Sequence, residues 1–63
     1  MNPDQYWVLE FKKSMKAYQI VSDLLLILEE INCVSFLDTY TMRMHIVKSV
    51  ERDYLMSHCA DAI

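Results

Sequence analysis

Glycine is absent from this sequence, and Pro3 is its only proline. Phosphate-cradling loops are thereby excluded in their usual form, because their backbone must approach the ligand without a Cβ in the way. Few tight turns are available, so the chain is expected to form a small number of long elements. Positive charge is also scarce. Six Lys and Arg against nine Asp and Glu leave a formal net charge of −3. The overall positive field that supplies most non-specific nucleic-acid affinity is therefore missing. The longest uninterrupted aliphatic run is Leu24 to Leu28, far below the ~20 residues that span a bilayer. The start, Met1-Asn-Pro-Asp-Gln5, has neither a basic segment nor an apolar one of the secretory kind. A cytoplasmic protein without a membrane partner is expected.

What is present in excess is apolar surface. The chain is 54% hydrophobic over 63 residues, one domain at most. A domain of this size buries only about 60% of the surface its unfolded chain exposes. Small domains commonly add disulfides, a metal or a second copy. Cys33 and Cys59, without export signals, read as free thiols. Cys33, His45, His58 and Cys59 lack the pairs two to four residues apart that zinc sites use, and no cofactor or enzymatic activity is expected. Assembly with another chain remains.

Along the chain, Tyr6 to Lys12 alternates, with Trp7, Leu9 and Phe11 on one face and Tyr6, Val8 and Glu10 on the other. This predicts a short strand. Ser14 is a suitable N-cap for a helix from residue 15 to about 31. Ala17, Ile20, Leu24, Ile27 and Ile31 form one apolar seam, with Tyr18, Val21, Leu25 and Leu28 in a second beside it. Asn32 is the best residue to end that helix in the left-handed region. Ser35-Phe-Leu-Asp38 then fits the start of a second helix, about 36–59, with a stripe of Phe36, Tyr40, Val47, Val50 and Tyr54. Arg43, Glu51 and His58 interrupt that stripe, while Met42 and Ile46 fall off it.

The expected fold is mainly α with one short strand, β-α-α over residues 1–63. A lone strand cannot satisfy its own backbone, so an intertwined homodimer with an intermolecular antiparallel two-stranded ribbon is expected. Trp7, Leu9, Phe11, Leu24, Ile27, Leu28, Val47 and Tyr54 would line the dimer interface. Met15, Leu26, Met42 and Ile46 would line a cleft for a partner protein or amphipathic helix. The alternative is a dimeric DNA-binding regulator that uses Lys48 and Arg52 with Lys12, Lys13 and Lys16. The acidic balance and the shortage of Asn, Gln and Arg on that helical face weigh against base readout.

From Met1-Asn-Pro-Asp-Gln-Tyr-Trp7 through Ser35-Phe-Leu-Asp-Thr-Tyr40 to its end, the chain resembles a small early protein of lambda-like temperate bacteriophages. That protein is encoded between the exonuclease and excisionase genes. The resemblance implies a homodimer of one strand and two helices per chain. It also implies a non-enzymatic part in favouring lytic development, exerted by binding a host or phage protein. It supplies no functional residues individually.

Overall fold

The stretch Arg43-Met-His-Ile-Val47 decides the architecture. Its alternation of polar and apolar residues at Arg43, Met44, His45 and Ile46 suits a strand with one face buried. In the computed structural model, which describes residues 3–63, Met44 and Ile46 are fully buried while Arg43 is exposed. The strand Arg43–Val47 (β3) lies at the centre of a sheet, between Tyr6–Glu10 (β1) and Ser35–Asp38 (β2). Both pairings are antiparallel. The helix Met15–Glu30 (α1) follows β1, and the helix Arg52–Cys59 (α2) follows β3. Short 3-10 turns occupy Pro3–Gln5 and Ala60–Ala62.

This is a small α+β fold, and the mainly helical expectation was wrong. Residues 36–59 form a β-hairpin and a short helix, not one long helix. Arg43, which interrupts the helical stripe, and Ile46, which falls off it, are explained by a period of two: Ile46 points inward with Met44, and Arg43 outward with His45. The premise of the two-stranded intermolecular ribbon, a strand with no partner in its own chain, falls with the same finding. β1 pairs with β3 of its own chain, Trp7 opposite Ile46 and Leu9 opposite Met44, so its bonded edge is satisfied internally.

The hairpin turn needs no glycine because a carboxylate shapes it. Asp38 Oδ1 accepts hydrogen bonds from the Tyr40 and Thr41 backbone N–H groups at 2.9 and 3.3 Å. The Met42 N–H donates to the Asp38 carbonyl at 2.8 Å. Met42 itself adopts a left-handed φ of 58°, which costs a non-glycine residue about 1–2 kcal/mol. Burial of the Met42 side chain offsets that cost. The turn N–H groups hold the Asp38 carboxyl below its ordinary pKa. A carboxyl with a depressed folded-state pKa contributes stability above its unfolded value, and that stability is lost as pH falls through the folded value. Asp38→Ala should therefore flatten the acid limb of the stability profile below about pH 4, which urea titrations at stepped pH would measure. An unchanged limb would remove the turn's role.

Helix α1 is closed at both ends by its own sequence. The Ser14 hydroxyl accepts from the Ala17 N–H at 3.2 Å. At the other end Asn32 takes φ 55°, with Asn32 N–H donating to the Glu29 carbonyl and Cys33 N–H to that of Leu28. This is the paired-bond Schellman closure, with Asn replacing the usual glycine. Ala17, Val21, Leu24 and Leu28 are its buried line. They pack with Met44, Ile46, Leu55, Cys59 and Ala62 into one core, against which Trp7 and Leu9 also lie. The Trp7 indole Nε1–H donates to the Val50 carbonyl at 2.8 Å, tying β1 to the approach of α2. Among the described residues no helix is long and apolar enough to cross a membrane.

Candidate protein-interaction surface

Residues opposite one another in antiparallel strands share a face. Trp7, Ile46 and Ser35 form one such row and Leu9, Met44 and Leu37 another, both on the face toward the helices. The opposite face carries Val8, His45 and Phe36 across its middle and Glu10, Arg43 and Asp38 across one end. Tyr6 and Val47 make a third row, which Val34 extends through its carbonyl bond from the Val47 N–H.

Both helices pack on the other side, and this face is left open. Val8, Val34 and Phe36 are 53%, 65% and 60% exposed. Singly exposed apolar residues are ordinary, but neighbours on one sheet face make a patch of the kind that marks interaction sites. His45 sits in its centre, half-buried, and its Nδ1 is shielded with no hydrogen-bond partner among the described residues. A shielded polar atom without a partner carries a desolvation cost. One end of the patch is bordered by the Arg43 Nε–Glu10 Oε1 ion pair at 2.8 Å. Both side chains are well exposed, so the pair contributes at most about 1 kcal/mol.

The residues expected from sequence are distributed differently. Phe11, Leu24 and Leu28 are buried within the chain's own core, with Trp7 and Leu9 packed against it. Ile27 and Val47 are half-buried, and Tyr54 is 41% exposed with its ring edge-on to His58. The four residues of the expected cleft are not brought together as its lining. Met42 and Ile46 are core residues, whereas Met15 and Leu26 are 84% and 60% exposed on α1. The basic residues separate into two places. Lys48 and Arg52 border one hollow beside Trp7, with Lys48 Nζ 4.7 Å from the indole centroid. Lys12, Lys13 and Lys16 lie beyond the other end of β1, and Lys13 Nζ sits 5.8 Å from the Tyr40 ring. Lys48 precedes α2, so it does not share a recognition-helix face with Arg52.

Both thiols are free. Burial pushes the Cys59 thiol up, and its Sγ donates to the Leu55 carbonyl at 3.0 Å. Burial also raises Cys33, outweighing hydrogen bonding with Ser49 and the Val47 backbone that pulls the other way. Neither has the low-pKa setting of a reactive cysteine. Among the described residues no three His, Cys, Asp or Glu side chains gather as a metal site. No family model, curated protein or solved structure matches the chain.

Proposed function

We propose that this protein acts without catalysis, by binding another protein through the open face of its sheet. The observation that carries the proposal is the exposed row of Val8 and Phe36 around a His45 whose Nδ1 lacks a partner. Val34, Tyr6 and Val47 extend the apolar area. The resemblance to the small early phage protein supplies the setting: a modulator favouring lytic growth, acting in the host cytoplasm on a host or phage protein.

Val8→Thr with Phe36→Thr tests this while leaving a residue of good strand propensity at both positions. Loss of two central apolar anchors should weaken partner binding by tenfold or more. The thermal unfolding midpoint should hold, since both side chains point away from the core. Recovery of a specific protein by the parent chain, lost with the double variant, is the expected result. Equal recovery by both would move the interaction to another surface. A salt-dependent shift of labelled duplex that Lys48→Ala and Arg52→Ala abolish would instead establish nucleic-acid binding.

A further inference from the structure

The sheet has a second unpartnered feature, the outer edge of β1. Among the described residues, strand β1 has β3 as its only neighbour in the sheet. The bonds at its two ends show which groups that pairing consumes. The Lys48 N–H donates to the Gln5 carbonyl, and the Phe11 N–H donates to the Met42 carbonyl. Hydrogen-bonding direction alternates along a strand, so Gln5, Trp7, Leu9 and Phe11 face β3. Val8 therefore directs both its N–H and its C=O away from the sheet, flanked by the Tyr6 C=O and the Glu10 N–H. The next even-numbered residue confirms the parity: the Lys12 N–H points the same way and donates to the Ala62 carbonyl at 2.6 Å. The C-terminal turn thus closes the edge just beyond Glu10 and leaves the Val8 stretch open.

A groove of about 310 Å³ runs along that open stretch. One wall is four consecutive residues, Trp7 to Glu10. Consecutive strand residues point to opposite faces, so a hollow that touches all four follows the edge and not a face. Leu55 and Met56 of α2 supply an apolar second wall, with Ile63 and Arg52 also lining the groove. Its two ends differ in charge. Trp7 is bonded to Val50, close before Arg52, whose side chain lines the groove. This is the cationic end. Glu10 and the C-terminal turn mark the other.

We infer that this groove takes an extended segment of a partner protein, added to β1 as a further antiparallel strand with a carboxylate at its C-terminal end. Main-chain bonds to Val8 would give affinity, and alternate apolar side chains would enter between β1 and α2. The charge polarity selects the direction. A segment antiparallel to β1 begins near Glu10 and ends near Trp7, where Arg52 is exposed and has no carboxylate partner among the described residues. Glu51 and Asp53 border the neighbouring hollow beside Lys48, and they disfavour a carboxylate placed there in place of the groove. This site uses the backbone edge at Val8, whereas the open face uses its side chain with His45 and Phe36, so its failure would leave the proposed function standing.

Amide NMR on the full chain tests it directly, with a short acetylated peptide of alternating Thr and Val ending in a free carboxylate. In the free protein, the Val8 amide should exchange quickly while those of Trp7 and Leu9 are protected. Peptide addition should shift and protect Val8 and Glu10, with a dissociation constant of about 1 mM or lower. A C-terminally amidated peptide, or Arg52→Ala, should weaken binding about tenfold, and N-methylation of the peptide backbone should abolish it. Phe36→Thr should bind the peptide as the parent chain does. No change at Val8 and Glu10, or changes confined to His45 and Phe36, would overturn the inference. So would equal affinity for the amidated peptide, or Val8 protection that grows with protein concentration alone, which would mean a second copy fills the edge.

Discussion

Ile46→Asp should abolish cooperative folding. Ile46 is fully buried at the centre of the middle strand, between Trp7 on one side and Ser35 on the other. A carboxylate there loses water and gains no cation, since the neighbouring core is apolar. The effective penalty is several kcal/mol even after relaxation. A domain of this length has a total stability of about 3–9 kcal/mol, so the substitution removes most or all of it. Far-UV circular dichroism and urea unfolding would read the loss. The substitution also separates two architectures. On a helix over residues 36–59, Ile46 lies off the apolar stripe, and a polar replacement would change stability by about 0.5 kcal/mol or less. An Ile46→Asp chain that unfolds at the parent's urea midpoint would sink the central-strand assignment.

The first half of the chain was legible because its signals agree. Alternation from Tyr6 to Glu10 matches a strand, the Ser14 cap matches a helix start, and Asn32 ends that helix in the left-handed region. The second half was not, because its signals conflict. Tyr40, Val47, Val50 and Tyr54 recur at helical spacing, whereas Met44 and Ile46 alternate with Arg43 and His45 as in a strand. Short apolar stretches satisfy either period, and flanking turn residues usually arbitrate. Here the turn has no glycine. Its chemistry resides in one carboxylate, Asp38, and in a methionine held at positive φ. In the sequence Asp38 fits the first turn of a helix as well, where acidic residues are equally at home.

The candidate surface was hidden by that same error. Tyr6, Val8 and Glu10 could be assigned to one face of a strand from sequence. Phe36 and His45 could join them only after the hairpin brought β2 and β3 alongside. The edge groove is further from sequence still, since it depends on α2 lying against β1 and on the parity of the backbone bonds. A visible signal did exist. Arg43 falls where a buried stripe is required and Ile46 falls off it, and that conflict points away from a helix over this stretch.

The aliphatic run Leu24 to Leu28 presents side chains around most of a helix, and one covering layer cannot bury them all. Its residues should differ sharply in what they contribute. Leu24 and Leu28 are fully buried, Leu25 and Ile27 are half-buried on the flanks, and Leu26 is 60% exposed on the far side. Leu24→Ala should cost about 3 kcal/mol, through lost transfer energy and a cavity that α1 and the sheet close only partly. In a domain of this size, that is a third or more of the total. Leu26→Ala should stay within about 0.5 kcal/mol of the parent, since alanine is as good a helix former and little buried area is lost. Equilibrium urea unfolding of both variants measures the contrast. Equal costs at the two positions, in dilute protein, would mean that Leu26 is covered by something outside the fold described here. A large cost at Leu26 that fades on dilution would identify that cover as another copy of the chain, because the stability of an associated fold depends on protomer concentration. A cost at Leu24 alone means that the single chain buries what it needs, and that its surplus apolar surface lies on the open sheet face.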